Sequence, residues 1–306
     1  MLIGLSGGSD SVALTLLLQE LSEHGEFQVV GLAHLHHGLR ASADRDEAFC
    51  RAFAARRALP LTVETVDISA YAGAQGLSIE DAARRVRYTF LERAASDADA
   101  DRVAVGHTQD DQAETFLLKL MRGAGLTGLA GIYPRRGMVV RPLLDVADAD
   151  LQAYVRARGE EWVEDETNAD VENPRNRVRH RVIPELDRAA GASTQPAIAR
   201  AAALVREDAQ WLDELSCARF TELAVRTVHG VELDARKLAD TPPPIRRRVV
   251  LQAMRETAGG KEIGLDHVEA VVGLLGGDRG GVDVPGSRVE LYAGKLVLMR
   301  QGAALR

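Results

Sequence analysis

Cysteine is scarce: Cys50 and Cys217 are the only two in 306 residues, and no Cys-x-x-Cys spacing occurs. That excludes a disulfide-stapled scaffold, and both are expected as free, buried thiols in a reducing cytoplasm. Aromatic residues make up 4% of the chain, and glycine, although numerous at 28, has no three-residue period, which excludes a collagen-like fibre. No run approaches the roughly 18 consecutive apolar residues that a membrane helix needs. The opening Met1-Leu2-Ile3-Gly4-Leu5 has neither a basic lead nor a long apolar core, so nothing points to export. Positive charge is also short: 38 Lys and Arg against 45 Asp and Glu give a net charge of −7, unlike a general nucleic-acid binder. A local basic surface remains open, because arginine clusters at Arg175, Arg177, Arg179 and Arg181, and again at Arg246, Arg247 and Arg248. A chain that is 46% hydrophobic and 27% charged is an ordinary globular protein, and its length suits about two domains.

The first half alternates short apolar β-type runs with helical patterns. Strands are expected at 2–5, 29–35, 61–66, 102–105 and 139–144, with helices at 12–24, 43–58, 79–95 and 112–122. This predicts an α/β domain with a doubly wound parallel five-stranded sheet, whose ligand loops leave the carboxyl ends of the strands near Ser6, His34, Asp67 and Gly106. After Pro142 the pattern turns helical. Asn173-Pro174 reads as a capped helix start, and Pro184 is expected to kink or divide that helix. A long helix over about 195–226, two more near 245–257 and 265–275, and a small β meander over 281–299 complete a second, mainly helical domain. The boundary is placed at 190/191, giving domains of 1–190 and 191–306.

The densest chemical signal is Ser6-Gly7-Gly8-Ser9-Asp10-Ser11, between a strand and an apolar helix. Flexible glycines let backbone N–H groups converge on an anion, hydroxyls add donors, and the helix presents its positive end. The Walker ending and the dinucleotide fingerprint are both absent. Asp10 beside phosphates is repulsive unless a cation such as Mg²⁺ bridges them. The plainer alternative is a strand-to-helix turn with a serine cap. The order of residues resembles the pyrophosphate-binding loop of the N-type ATP pyrophosphatases, the PP-loop family, whose members use ATP to adenylate an oxygen. That resemblance implies an adenine nucleotide alpha hydrolase-like fold, with ATP held by residues 6–11.

A second constellation runs Gly106-His107-Thr108-Gln109-Asp110-Asp111-Gln112-Ala113-Glu114-Thr115 across a strand end and a helix start. Asp110, Asp111 and Glu114 can share one side of the first turns, where they would hold a cation or accept a proton. Helix capping by Asp111 and Glu114 is the plainer alternative. His34, His36, His37 and His107 suit zinc by residue type, but local ligand spacing is missing. The Arg175 to Arg181 run is either a solvated helix face or a phosphate-binding one, since arginine offers a bidentate fork.

Gly-His-x-x-Asp-Asp-x-x-Glu-Thr after a PP-loop resembles the tRNA(Ile)-lysidine synthetase family. So do His34-Leu35-His36-His37-Gly38-Leu39-Arg40, Ala83-Arg84-Arg85-Val86-Arg87-Tyr88-Thr89-Phe90-Leu91, Asp165-Glu166-Thr167-Asn168 and Asn173-Pro174-Arg175-Asn176-Arg177-Val178-Arg179. The resemblance covers about residues 1–190; the remainder is similar to the helical domain of the family's short form. Many members carry a longer lead before the first strand, so a truncated start is expected here. The resemblance implies ligation of free L-lysine to the wobble cytidine of a tRNA(Ile) with a CAU anticodon, using ATP and Mg²⁺. It casts Asp10 on the metal, Asp110, Asp111 and Glu114 around the lysine amine, His107 and Arg87 at the phosphoryl group or cytidine, and Arg175, Arg177, Arg179 and Arg181 on RNA. A homodimer is a further expectation. Two competing readings are a sulfur-inserting PP-loop enzyme, disfavoured by the cysteine pattern, and a non-catalytic ATP-binding sensor, which leaves the acidic constellation unexplained.

Overall fold

The computed structural model describes residues 1–38, 43–164 and 171–300, which fall into two compact units, 1–206 and 207–306. Leu39 and Arg40 of the histidine motif, and Asp165, Glu166, Thr167 and Asn168, lie outside the described residues.

In the first unit, strands β1 (Leu2–Gly4), β2 (Gly31–His36), β3 (Leu61–Thr65), β4 (Val103–Ala104), β5 (Arg135–Arg136) and β6 (Val139–Val140) form one sheet in the order β3-β2-β1-β4-β6-β5. Five of them are parallel, as expected; β5 is a two-residue antiparallel edge strand paired with β6, too short for any period to announce it. Alternation sends successive side chains to opposite faces. Leu2 joins Phe90, Leu91 and Ala94 of helix Ile79–Asp97, whereas Ile3 joins Val12 and Leu16 of helix Ser9–Ser22 and Leu151 of helix Asp148–Ala157. The chain leaves β1 toward β2 on one side and later fills β4 on the other. The carboxyl ends of β1 and β4 therefore form the switch point where open α/β sheets bind ligands.

Pro184 does divide its helix. Residues Pro174–Arg177 are α-helical, Val178–Val182 form a π turn in which the Ile183 N–H reaches the Val178 carbonyl, and Ile183–Ala190 resumes the α-helix. Proline has no N–H for the carbonyl four residues back, and the wider turn accommodates that loss.

The second unit contains the rest of helix Gln195–Leu223, helices Pro243–Thr257 and Leu265–Gly273, and an antiparallel sheet in the order β7-β8-β11-β10-β9. Its strands are β7 (Ala224–Arg226), β8 (Gly230–Asp234), β9 (Gly280–Val284), β10 (Ser287–Tyr292) and β11 (Lys295–Arg300). The expected meander is β9–β11. It is enlarged by β7 and β8, and β7 takes residues expected at the end of the long helix. Val231 and Leu233 alternate inward on β8, and pairing of β7 with β8 overrides the helical preference of residues 224–226. Cys50 is buried as expected, but Cys217 is exposed on the helix surface. No described helix is long and apolar enough to cross a membrane.

Candidate active site

The loop after β1 is organised before any ligand arrives. Ser11, buried in the first turn of its helix, accepts hydrogen bonds at Oγ from the Ser6 N–H (3.1 Å), the Gly7 N–H (3.2 Å) and the Ser6 hydroxyl (3.1 Å), and donates to the Gly8 carbonyl (3.0 Å). Gly7 has φ +91°, a conformation that side chains disfavour, and its carbonyl accepts from the Val163 N–H at 2.9 Å. Not all three hydroxyls are therefore ligand donors, since that of Ser11 is turned inward as the organiser. The helix Ser9–Ser22 starts at Gly8 with no side-chain cap, so its first N–H groups remain available for an anion.

Gly106 brings the second constellation against this loop. A Cβ there would lie 3.1 Å from the Asp10 carbonyl carbon and oxygen and 3.2 Å from the Ser11 nitrogen. Thr108 then caps helix Gln109–Met121: its hydroxyl accepts from the Asp111 N–H at 3.3 Å, and Asp111 Oδ2 accepts from the Thr108 N–H at 3.1 Å. The capping partner of Asp111 is thus Thr108, three residues earlier, rather than Glu114.

Glu114 has a different task. It is completely buried and accepts from Arg175 Nε at 2.7 Å and from Arg179 Nε, while Arg175 Nη2 also reaches Asp111 Oδ1 at 3.1 Å. Burial alone would lower the Arg175 pKa, and the charges of Asp111 and Glu114 more than reverse that. Their four-residue spacing sets Arg179 on the same side of the helix as Arg175. Arg177 instead bonds the Val171 and Glu172 carbonyls, and both Arg177 and Arg181 are exposed. Asp110 is occupied too, accepting from the Asp148 N–H at 2.9 Å and from Gln195 Nε2.

A cavity of about 470 Å³ opens along this switch point. Ser6, Gly8, Asp10 and Ser11 line it from the loop, His34, His36 and Asp46 from the β2 side, and Arg87, His107, Asp111 and Arg175 from the rest. Of the expected acids, Asp10 and Asp111 line it and Asp110 and Glu114 do not; Gly7, Ser9, Arg177, Arg179 and Arg181 also lie outside its lining. Arg87 lines the cavity and is exposed.

Asp10 and Asp148 are the electrostatic extremes. Burial raises the Asp10 carboxyl to about 6, against a hydrogen bond from Ser9 (2.9 Å) and with help from Asp111 and Asp110. Burial and then the charge of Asp10 raise Asp148 to about 7, and its Oδ1 is buried without a partner. Carboxylates whose charges oppose one another's ionisation are a place where a divalent cation lowers the energy. Asp148 was not among the sequence candidates: as the first residue of a helix, it reads locally as an ordinary acidic helix start. Desolvation lowers His107, half-buried among Arg141, Arg175 and Arg87, to about 4, although Asp111 opposes the shift. On the β2 side His34 Nδ1 lies 2.9 Å from the Leu5 carbonyl and 3.4 Å from Cys50 Sγ, and burial raises that thiol to about 12. Among the described residues no group of three or more His, Cys, Asp and Glu side chains is placed to hold a metal ion.

The model of the PP-loop domain matches residues 1–186. The chain belongs to the PP-loop family. Its curated relatives include proteins named tRNA(Ile)-lysidine synthase. That of Dehalococcoides mccartyi is 37% identical over 283 residues, covering 89% of this chain and 60% of its own length. That of Thermus thermophilus is 40% identical over 256 residues, covering 84% and 48%. This PP-loop chain therefore spans about half to three-fifths of the length of the curated relatives it matches. Among solved structures, the U34-tRNA thiolase NcsA from Methanococcus maripaludis with its 4Fe-4S cluster superimposes with a TM-score of 0.55. The two are 17% identical, with 67% of this chain and 71% of that one covered, a likeness of fold.

Proposed function

We propose that this chain ligates L-lysine to C2 of the wobble cytidine of a tRNA(Ile) bearing a CAU anticodon. The cytosine O2 attacks the α-phosphorus of ATP and pyrophosphate leaves; the lysine side-chain amine then attacks C2, AMP leaves, and a proton is lost from nitrogen. One observation carries the proposal. A single cavity is lined at once by an uncapped, glycine-rich helix start suited to phosphates and by Asp111, Arg87 and His107, which suit an amine nucleophile and a developing negative charge. The relatives' names add the substrate class.

The roles follow from the contacts. Residues 6–11 hold the pyrophosphate part of ATP through backbone N–H groups and the Ser9 end of the helix. The amine of lysine has an ordinary pKa of about 10.4, so it arrives as an ammonium and pairs with the cavity carboxylate Asp111 before losing its proton. Glu114 keeps Arg175 and Arg179 in place beside Asp111, which leaves Arg177 and Arg181 as the exposed arginines for RNA phosphates. Mg²⁺ fits Asp10 together with the unpartnered oxygen of Asp148, where it would neutralise phosphate charge. Residues 1–190 would carry the chemistry, with Arg177 and Arg181 meeting RNA phosphates, and 191–306 would supply further tRNA contacts. The proposal includes a cytoplasmic setting, in keeping with two free thiols, and a two-fold homodimer.

The test is incubation with ATP, Mg²⁺ and an unmodified CAU-bearing tRNA(Ile) transcript, with and without radiolabelled L-lysine. Lysine-dependent labelling of the RNA that disappears when the wobble cytidine is replaced is the expected outcome. Release of pyrophosphate without incorporation of lysine would leave the family chemistry and overturn the substrate. A sulfur-transferring alternative calls for paired cysteines, whereas Cys50 and Cys217 stand far apart in the sequence with no Cys-x-x-Cys spacing.

A further inference from the structure

Arg141 sits directly after β6, is only 6% exposed, and has no role in the scheme above. Its Nε–H donates to His107 Nδ1 at 3.3 Å, its Nη1 to the Tyr133 carbonyl at 2.8 Å, and its Nη2 to the Tyr88 hydroxyl at 2.8 Å. Its own N–H is held by the Pro134 carbonyl at 2.8 Å. Every one of these acceptors is neutral. A buried guanidinium without a carboxylate partner among the described residues is an expensive way to fill space, and an apolar side chain would serve packing better.

A guanidinium has donors and no acceptor. The ring nitrogen facing Arg141 must therefore offer its lone pair, and the one proton of a neutral imidazole must sit on Nε2. From these contacts we infer that Arg141 is a positioning residue that locks His107 as the neutral Nε2–H tautomer, so that His107 enters the reaction as a hydrogen-bond donor and not as its base.

The charged groups around the ring agree. Burial comes first, and Arg141, Arg175 and Arg87 all oppose an added positive charge, with Asp111 alone favouring it. His107 lines the cavity, and with Nδ1 taken it can offer the cavity only N–H. In an adenylyl transfer such a donor stabilises negative charge gathering on the phosphoryl oxygens or leaving group. The proton released by the attacking amine then goes to a carboxylate lining the cavity. The role in transfer rests on the proposed function; the tautomer does not. Arg141 lies 34 residues from His107 and 53 from Tyr88 along the chain, so no local spacing points to the trio.

The first measurement needs no substrate. With ¹⁵N-labelled histidine, long-range ¹H–¹⁵N correlation at pH 7, assigned by loss of the signal in His107→Gln, is expected to show an unprotonated Nδ1 and a protonated Nε2. An Nδ1–H tautomer or an imidazolium at pH 7 overturns the inference. In Arg141→Met the same signal is expected to move to a tautomer mixture, and an unchanged spectrum in folded protein overturns the role of Arg141. Tyr88→Phe, which removes one acceptor of Arg141 and no charge, provides a second variant should the methionine protein not fold. It is expected to weaken the tautomer preference in the same direction, and an unchanged preference there overturns the network. In a pyrophosphate-release assay His107→Gln, whose amide nitrogen can stand near the Nε2 position, is expected to retain at least about tenfold more kcat than His107→Asn, with KM for ATP little altered. Asparagine retaining as much as glutamine overturns the donor role. If lysine is the wrong substrate, the spectra and the pyrophosphate assay still report, so the two failures are separable.

Discussion

The two units bury different kinds of polar group. In the first, Glu114, Arg141, His34, Gln112, Asn176 and Thr108 are buried together with the hydroxyls of Ser11 and Thr15; in the second, the buried polar residues are Ser216, Thr241, Thr257 and Ser287, hydroxyls alone. The second unit's core is a single cluster built on Val249, Met254, Leu296 and Leu298 between helix and sheet. The first spreads its apolar residues over several clusters and leaves the switch point to charge. Buried charge costs desolvation, so a fold that retains it at one place is spending stability on orientation there. The first unit is built around a site, and the second around a core.

The contrast is sharpest at Glu114 and Leu298. Glu114→Ala removes a fully buried carboxylate from between two guanidinium groups, and is expected to destabilise the first unit by about 3–5 kcal/mol. Leu298→Ala, at a fully buried position in β11, is expected to cost the second unit about 2–5 kcal/mol through its cavity. The chain's two tryptophans lie one in each unit, so urea unfolding of Trp162→Phe and Trp211→Phe backgrounds reads them separately. A Glu114→Ala transition within about 1 kcal/mol of the parent would show that the charged cluster is not structural.

Next in size is a pH effect confined to the first unit. The folded pKa of Asp148, about 7, lies above the ordinary 3.8. Below 3.8 both states are protonated and the group is silent. As pH rises from there toward 7 only the unfolded state ionises readily, so stability falls and then levels off. Asp148→Asn should therefore stabilise the protein by on the order of 2 kcal/mol at pH 8, allowing for partial solvent screening, and hardly at all at pH 4. Thermal unfolding across that range measures it, and an equal gain at both pH values would refute the electrostatic origin. Saturating Mg²⁺ and ATP should shrink the gain. The smallest effect is Thr108→Ala, which removes a helix cap and is expected to cost about 1 kcal/mol. Restoration by Thr108→Ser would assign that loss to the hydroxyl.

Legibility in the sequence followed distance along the chain. The loop 6–11 and the segment 106–115 are runs in which neighbours act together, so residue type and spacing announced both. The parallel strands were legible for the same reason, because each carries its own apolar run. β5 and β7, of two and three residues, exist through their partners and have no period of their own. The arginine run was visible, but which of its members turn inward was not: Arg175 and Arg179, four residues apart and so on one helix side, find Glu114, some 60 residues earlier, only because the fold packs their helix against Gln109–Met121.

By itself the sequence determined a strand–glycine loop–helix, an acidic helix start behind a flexible glycine, and a second region with strands at its end. Hydrogen-bond stereochemistry and side-chain periodicity act over a few residues, and that reach suffices for those features. Only the tertiary structure decided that Asp111 faces the cavity while Asp110 and Glu114 serve as anchors, that the charge of Asp10 acts on Asp148, and that Arg141 holds His107. Ionisation and tautomer depend on burial and on charges brought together by the sheet order, so the same residue types are ordinary helix starts or strand ends until the chain has folded.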